Sequence, residues 1–107
     1  MENKNIQFAE MALSFPGTEE KPHFDRIAFK VTNKRIFATL YEPSNSANIK
    51  LPPAEQAVFC DYEKGITPVP NKWGLQGWTT FELDKVPEEL VFNALEIAYN
   101  DTVNSKK

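Results

Sequence analysis

The chain carries one cysteine, Cys60, and one histidine, His23, and these two residues bound the covalent chemistry open to it. A nucleophilic thiol needs a base within reach and a third group that orients the base. His23 lies in KPHFD and Cys60 in AVFCDY, far apart in the chain and in no shared motif. AVFCDY reads as an apolar helical pattern, in which a free cysteine behaves as a small buried hydrophobe. His23 is expected as a packed or hydrogen-bonded residue at a strand edge. Structural zinc needs four nitrogen or sulfur ligands, which one His and one Cys do not supply. The pairs Glu19-Glu20 and Glu88-Glu89 could grip a hard cation, but paired carboxylates at helix starts are what the positive helix end favours. Gly74 and Gly77 stand before a strand rather than a helix, so they lack the context of a phosphate cradle. No catalytic or metal-ligating residue is assigned, no cofactor is expected, and the residues give enzyme activity no support.

A binding surface is better founded. The chain has a net charge of −3 and a pI near 5.2, values that argue against a dedicated polyanion binder. The charge is uneven, however. Residues 21–50 hold Lys21, Arg26, Lys30, Lys34, Arg35 and Lys50 against Asp25 and Glu42 only, and a partner feels that local field more than the total. Cations interleaved with aromatic rings suit phosphate neutralisation with base stacking. The nucleic-acid candidates are Arg26, Lys30, Lys34, Arg35, Lys50 and Lys72. The aromatic candidates are Phe37, Tyr41, Trp73 and Trp78. A covering helix, or lysine stems lying along the rings, is the plainer explanation of the same pattern.

These residues depend on the elements that carry them. Residues 5–15, NIQFAEMALSF, have a helical period, with Asn3 or Asn5 available as a cap and Pro16-Gly17 as the stop. IAFKV and IFATLY alternate around TNKR, which predicts a hairpin turning at Asn33-Lys34. In that register Ile27 faces Leu40, Phe29 faces Ala38 and Val31 faces Ile36. Their apolar face would leave Lys30, Arg35, Phe37 and Tyr41 on the other. NIKL is a short strand, and PPAEQAVFCDYEK a helix with Pro53 in its first turn and Gly65 as its stop. Residues 66–76 read as a loop with short extended pieces. WTTFEL is a strand with Phe81 and Leu83 opposite Trp78, and VPEELVFNALEIAYNDTV is a helix with Pro87 at its first position. The order is helix, hairpin, strand, helix, strand, helix. The class is α+β, an antiparallel sheet with helices packed on one face.

The bulk numbers are those of a single domain over residues 1–107, with a core over about 4–103. Hydrophobic content is 41% and charged content 25%. No segment has the length of a membrane span or the apolar core of a signal peptide, and a lone cysteine suits a reducing compartment. Cytoplasmic placement away from membranes is the expectation. The partners expected are DNA or a protein, and the oligomeric state is open.

Several spaced pieces now add up. LSFPGTEEKPHFDRIAFKV, KRIFATL, PVPNKWGLQGWTTFEL and EELVFNALEIAYN resemble the MmcQ/YjbR family over about Met11 to Tyr99. The resemblance is carried by Pro16-Gly17 before Phe24, Phe29 and Phe37 in the hairpin strands, Gly77-Trp78, and Ala98-Tyr99. It implies a domain of the frataxin/CyaY-like kind and DNA binding through a double-wing arrangement of hairpins. It supplies no catalytic residues. Two binding readings therefore stand side by side. One is weak, low-specificity contact with DNA through the basic hairpin. The other is a non-catalytic protein- or small-ligand-binding module using the aromatic surface around Trp73 and Trp78.

Overall fold

A computed structural model describes residues 3–104. Helix α1 (Lys4–Leu13) starts at Asn3, whose Oδ1 accepts the backbone N–H groups of Asn5 and Ile6 at 2.8 and 3.3 Å. That cap satisfies donors the helix leaves unpaired at its first turn. Strands β1 (Thr18–His23), β2 (Arg26–Val31), β3 (Ile36–Tyr41) and β4 (Ser46–Lys50) follow, with a 3-10 turn at Glu42–Ser44. Helix α2 (Pro53–Tyr62), strand β5 (Ile66–Pro68), short helix α3 (Lys72–Leu75), strand β6 (Trp78–Glu82) and helix α4 (Glu88–Val103) complete the order. The six strands form one sheet, β1-β2-β3-β4-β6-β5, with every neighbouring pair antiparallel. The α+β class and the helices gathered over one face agree with the sequence.

Two elements, β1 and α3, exceed that reading. TEEKPH pairs along its whole length with β2 as an edge strand, although its polar residues and Pro22 hide any apolar alternation. Proline is tolerated there because an edge strand has a side that pairs with nothing. Residues 66–76 contain the short extended piece β5, as expected, and in addition the short helix α3. Pro87 stands just before α4, one position earlier than expected.

The hairpin keeps Ile27 opposite Leu40 and Phe29 opposite Ala38, as the alternation predicts. Beyond Phe29 the register slips, and Lys30 pairs with Ile36. Phe37 is thus the extra residue of a β-bulge, which breaks the strict alternation of faces. Phe37 joins Ala38 in the core, fully buried, with its ring 6.1 Å from that of Tyr99 on α4. The expectation that Phe37 lies on an exposed outer face is therefore corrected. Ile36 takes the outward place, and Val31 meets Thr18 instead. The turn itself is Val31–Lys34, closed by the Lys34 N–H donating to the Val31 carbonyl at 2.8 Å, with Asn33 at φ 65°.

The core is one continuous cluster between the sheet and the helices. It runs from Phe8 and Phe29, edge to face at 5.7 Å, through Leu40, Ile49 and Leu95 to Phe81, which meets Phe59 of α2 at 6.1 Å. At one flank the Phe15 ring stacks on Tyr99 and Phe92, and the Tyr99 hydroxyl donates to the Pro16 carbonyl at 2.6 Å. That contact ties the chain after α1 to α4. Helices α1, α2 and α4 lie on one side of the sheet, and the other side is left open apart from α3 beside β6.

Candidate functional site

Cross-strand register assigns the open face. Arg26, Ala28 and Lys30 on β2 share it with Ile36, Thr39 and Tyr41 on β3, Asn48 and Lys50 on β4, and Trp78 and Thr80 on β6. A cleft of about 330 Å³ crosses this face. Thr39 and Asn48 form its floor on the central strands, and Ile36 and Val69 are apolar contacts along it. His23 and Arg26 stand on the β1–β2 side, Trp73 and Trp78 on the α3–β6 side.

Close backbone packing positions the tryptophan side. Gly74 lies so near Val69 that a Cβ there would run into the Val69 carbonyl oxygen. Gly77, at φ 110°, lies equally close to the Leu51 carbonyl. The Leu51 N–H donates to the Gly77 carbonyl at 2.9 Å, joining this turn to the end of β4. Gln56 of α2 donates from Nε2 to the carbonyls of Gly74 and Trp78, at 2.9 and 3.2 Å. Asn71 caps α3 by accepting the Trp73 N–H at 2.9 Å. The segment that holds both tryptophans is therefore fastened to β4 and α2 from behind. Trp73 is 50% exposed and Trp78 half-buried, so Trp73 presents more of its ring to solvent.

The polar groups of the cleft are also held. The Arg26 guanidinium lies 5.0 Å above the centre of the Tyr41 ring, a cation–π contact that fixes the plane of the fork. Its Nη1 is buried and has no hydrogen-bond partner among the described residues. The Thr80 hydroxyl donates to Asn48 Oδ1 at 2.8 Å, which turns the Asn48 amide and leaves its N–H₂ as a donor for an occupant.

Of the sequence candidates, the fold brings Arg26, Trp73 and Trp78 into the cleft. Tyr41 sits under Arg26, and Lys30 and Lys50 stand on the same face, directly across from the lining residues Ile36 and Trp78. None of Arg26, Lys30 and Lys50 forms an ion pair with a described residue. Lys34 and Arg35 lie in the β2–β3 turn and Lys72 opens α3. Phe37 belongs to the opposite side. His23, Ile36, Thr39, Asn48 and Val69 line the cleft without having been candidates. His23 and Arg26 are paired by the two-residue turn Phe24-Asp25, a signal that the spacing HFDR contains once KPH is recognised as a strand.

The other chemistry weighed from the sequence finds no centre. His23 is exposed at the end of β1, whereas Cys60 packs against the core on α2, where burial raises its thiol pKa and disfavours the thiolate. No group of three or more His, Cys, Asp or Glu that could hold a metal ion occurs among the described residues. Nor is any helix among them long and apolar enough to cross a membrane.

No curated protein matches the chain. A crystal structure of a Deinococcus radiodurans protein with a DUF419 domain superposes with a TM-score of 0.73 at 21% identity, covering 92% of this chain and 80% of the other. At that identity the likeness concerns the fold. The YjbR family model matches residues 13–101, the span that includes every strand, the cleft and most of α4. With its bulged hairpin, its tryptophan turn and its closing helix inside that match, the chain belongs to the YjbR family.

Proposed function

We propose that the chain is a non-catalytic DNA-binding domain that takes single strands across the open face of its sheet, weakly and with little sequence preference. The observation that carries this reading is the joint placement of Trp73 and Trp78 with Arg26, Lys30 and Lys50 on one uncovered face. Rings stack on bases of any sequence, and cations follow the phosphates. Register puts Lys30, Lys50 and Trp78 at one end of the face and Arg26 with Tyr41 at the other, so each end pairs a cation with a ring. The basic hairpin favoured by the sequence contributes through its strand rather than its tip. A cleft bounded on one side by α3 does not have the convex form that fills a duplex groove.

Fluorescence anisotropy of labelled single-stranded and duplex DNA, at about 50 mM and about 200 mM salt, tests the reading. Single strands are expected to bind more tightly than duplex and to weaken as salt rises. Absence of binding to either at the lower salt overturns it. The second reading, a small-ligand or protein surface at Trp73 and Trp78, is favoured by the apolar contacts of Ile36 and Val69. A tryptophan emission change with such a partner, and none with DNA, would select it.

A further inference from the structure

Resting on the DNA reading, we infer that the open-face cleft is a seat for one unstacked nucleotide. The base lies against Trp73 and Trp78 with its edge over Thr39 and Asn48, and its phosphate meets Arg26 and His23. Three features of the cleft lead to this occupant. Its volume of about 330 Å³ is at the low end of the range for small-molecule sites, roughly 300–1,000 Å³, and suits a single planar group with a short appendage. Its lining is mostly apolar and aromatic with Thr39 and Asn48 as polar points on the floor, which matches a ring whose faces are apolar and whose edge carries donors and acceptors. Its far side is cationic, where the Arg26 guanidinium lines the cleft, lies over the Tyr41 ring and forms no ion pair with a described residue. A guanidinium without an ion-pair partner is suited to a phosphate oxygen.

Asn48 gives the floor a definite character. Its Oδ1 already accepts from Thr80, so the amide N–H₂ is what it offers, directed to an acceptor on the base edge. The Thr39 hydroxyl, next to it across the strands, can donate or accept. The seat therefore tolerates every base, because each carries a carbonyl or ring-nitrogen acceptor at its edge. Occupancy requires a base out of the stack, as single strands and strand ends provide.

The full-length chain is titrated with deoxynucleoside monophosphates, deoxyribose 5-phosphate, a short oligothymidylate and an abasic strand of equal length, following tryptophan emission and anisotropy. The seat predicts that mononucleotides change the emission and displace the oligonucleotide, whereas deoxyribose 5-phosphate does neither. It also predicts that the abasic strand binds about tenfold or more weaker, and that Trp73→Ala reduces oligothymidylate affinity by a similar factor without affecting the abasic strand. Because Trp73 is half exposed, the variant is expected to fold, and Asn48→Ala serves as a second probe through a loss of mononucleotide affinity. Equal binding of abasic and normal strands overturns the seat and leaves the DNA reading standing. Mononucleotide binding without oligonucleotide binding supports the seat as a free-nucleotide site and overturns the DNA reading. Binding of neither overturns both.

Discussion

Phe24 holds a backbone conformation that suits it poorly. It is the first residue of the two-residue turn between β1 and β2, at φ 60°, and 95% of its surface is exposed. A positive φ costs an L-residue about 1–2 kcal/mol, and glycine escapes that cost. The ring recovers little, since its recorded contact is an edge-to-face approach to His23 at 4.9 Å. Replacing Phe24 with glycine should therefore raise the unfolding free energy by about 0.5–1 kcal/mol, after allowing for the looser unfolded chain. Urea denaturation measures it. A loss of more than about 1 kcal/mol would show that the His23 contact outweighs the backbone strain. Gly77 shows the opposite choice: at φ 110°, with the Leu51 carbonyl where a Cβ would stand, glycine occupies the position where the chain needs it. The sequence exposes that second case, because two glycines so close to two tryptophans suggest a tight approach. It conceals the first, because HFDR reads as a turn only once KPH is recognised as a strand.

At the scale of elements, the β2–β3 hairpin turns on one bulge. Strict alternation puts Phe37 outside and Ile36 inside, and the extra residue exchanges them. The two arrangements differ measurably. Phe37→Ala should cost about 3–5 kcal/mol, as for a large aromatic removed from a packed core. Ile36→Thr, at a half-buried place on the open face, should cost under about 1.5 kcal/mol. Equilibrium unfolding of both variants in urea checks the pair, and equal costs would contradict the bulge. The same hairpin shows how far the sequence is legible. Two of the three expected cross-strand pairs, Ile27 with Leu40 and Phe29 with Ala38, occur as the alternation implies. The third fails because a bulge is a local insertion that apolar periodicity cannot register. β1 was hidden for another reason: an edge strand with solvent on much of its surface has no need of apolar alternation. The cleft inherits both gaps, since its lining residue His23 lies on β1 and Ile36 owes its outward place to the bulge. Trp73, Trp78 and Arg26 were legible because rings and charges are conspicuous wherever the fold puts them.

Considered whole, the molecule separates its surfaces by role. One face of the sheet is sealed by α1, α2 and α4. Both edges are protected against strand addition, β1 by Glu19, Glu20, Lys21 and Pro22, and β5 by its three-residue length and Pro68. What remains for a partner is the open face, where Arg26, Lys30 and Lys50 stand on a chain whose net charge is −3. An acidic total does not prevent contact with phosphates, because beyond a Debye length of about 8–10 Å the distant carboxylates are screened. It does limit how many phosphates the chain engages at once, and that number is open to measurement. Each phosphate neutralised on a single strand contributes roughly −0.7 to the slope of log K against log salt. Contact by Arg26, Lys30 and Lys50 alone therefore predicts a slope of about −2, whereas participation of Lys34, Arg35 and Lys72 as well predicts about −4. Lys34 and Arg35 lie in the turn beyond the strands, and Lys72 opens α3 on the far side of Trp73, so a strand seated along the cleft is expected to give the smaller value. Anisotropy titrations with a single-stranded oligonucleotide across salt concentrations give the slope directly. Lys50→Gln should reduce its magnitude by about 0.7 and Arg35→Gln should leave it unchanged. A slope that responds to Arg35 but not to Lys50 would place the strand on the hairpin tip and remove it from the open face.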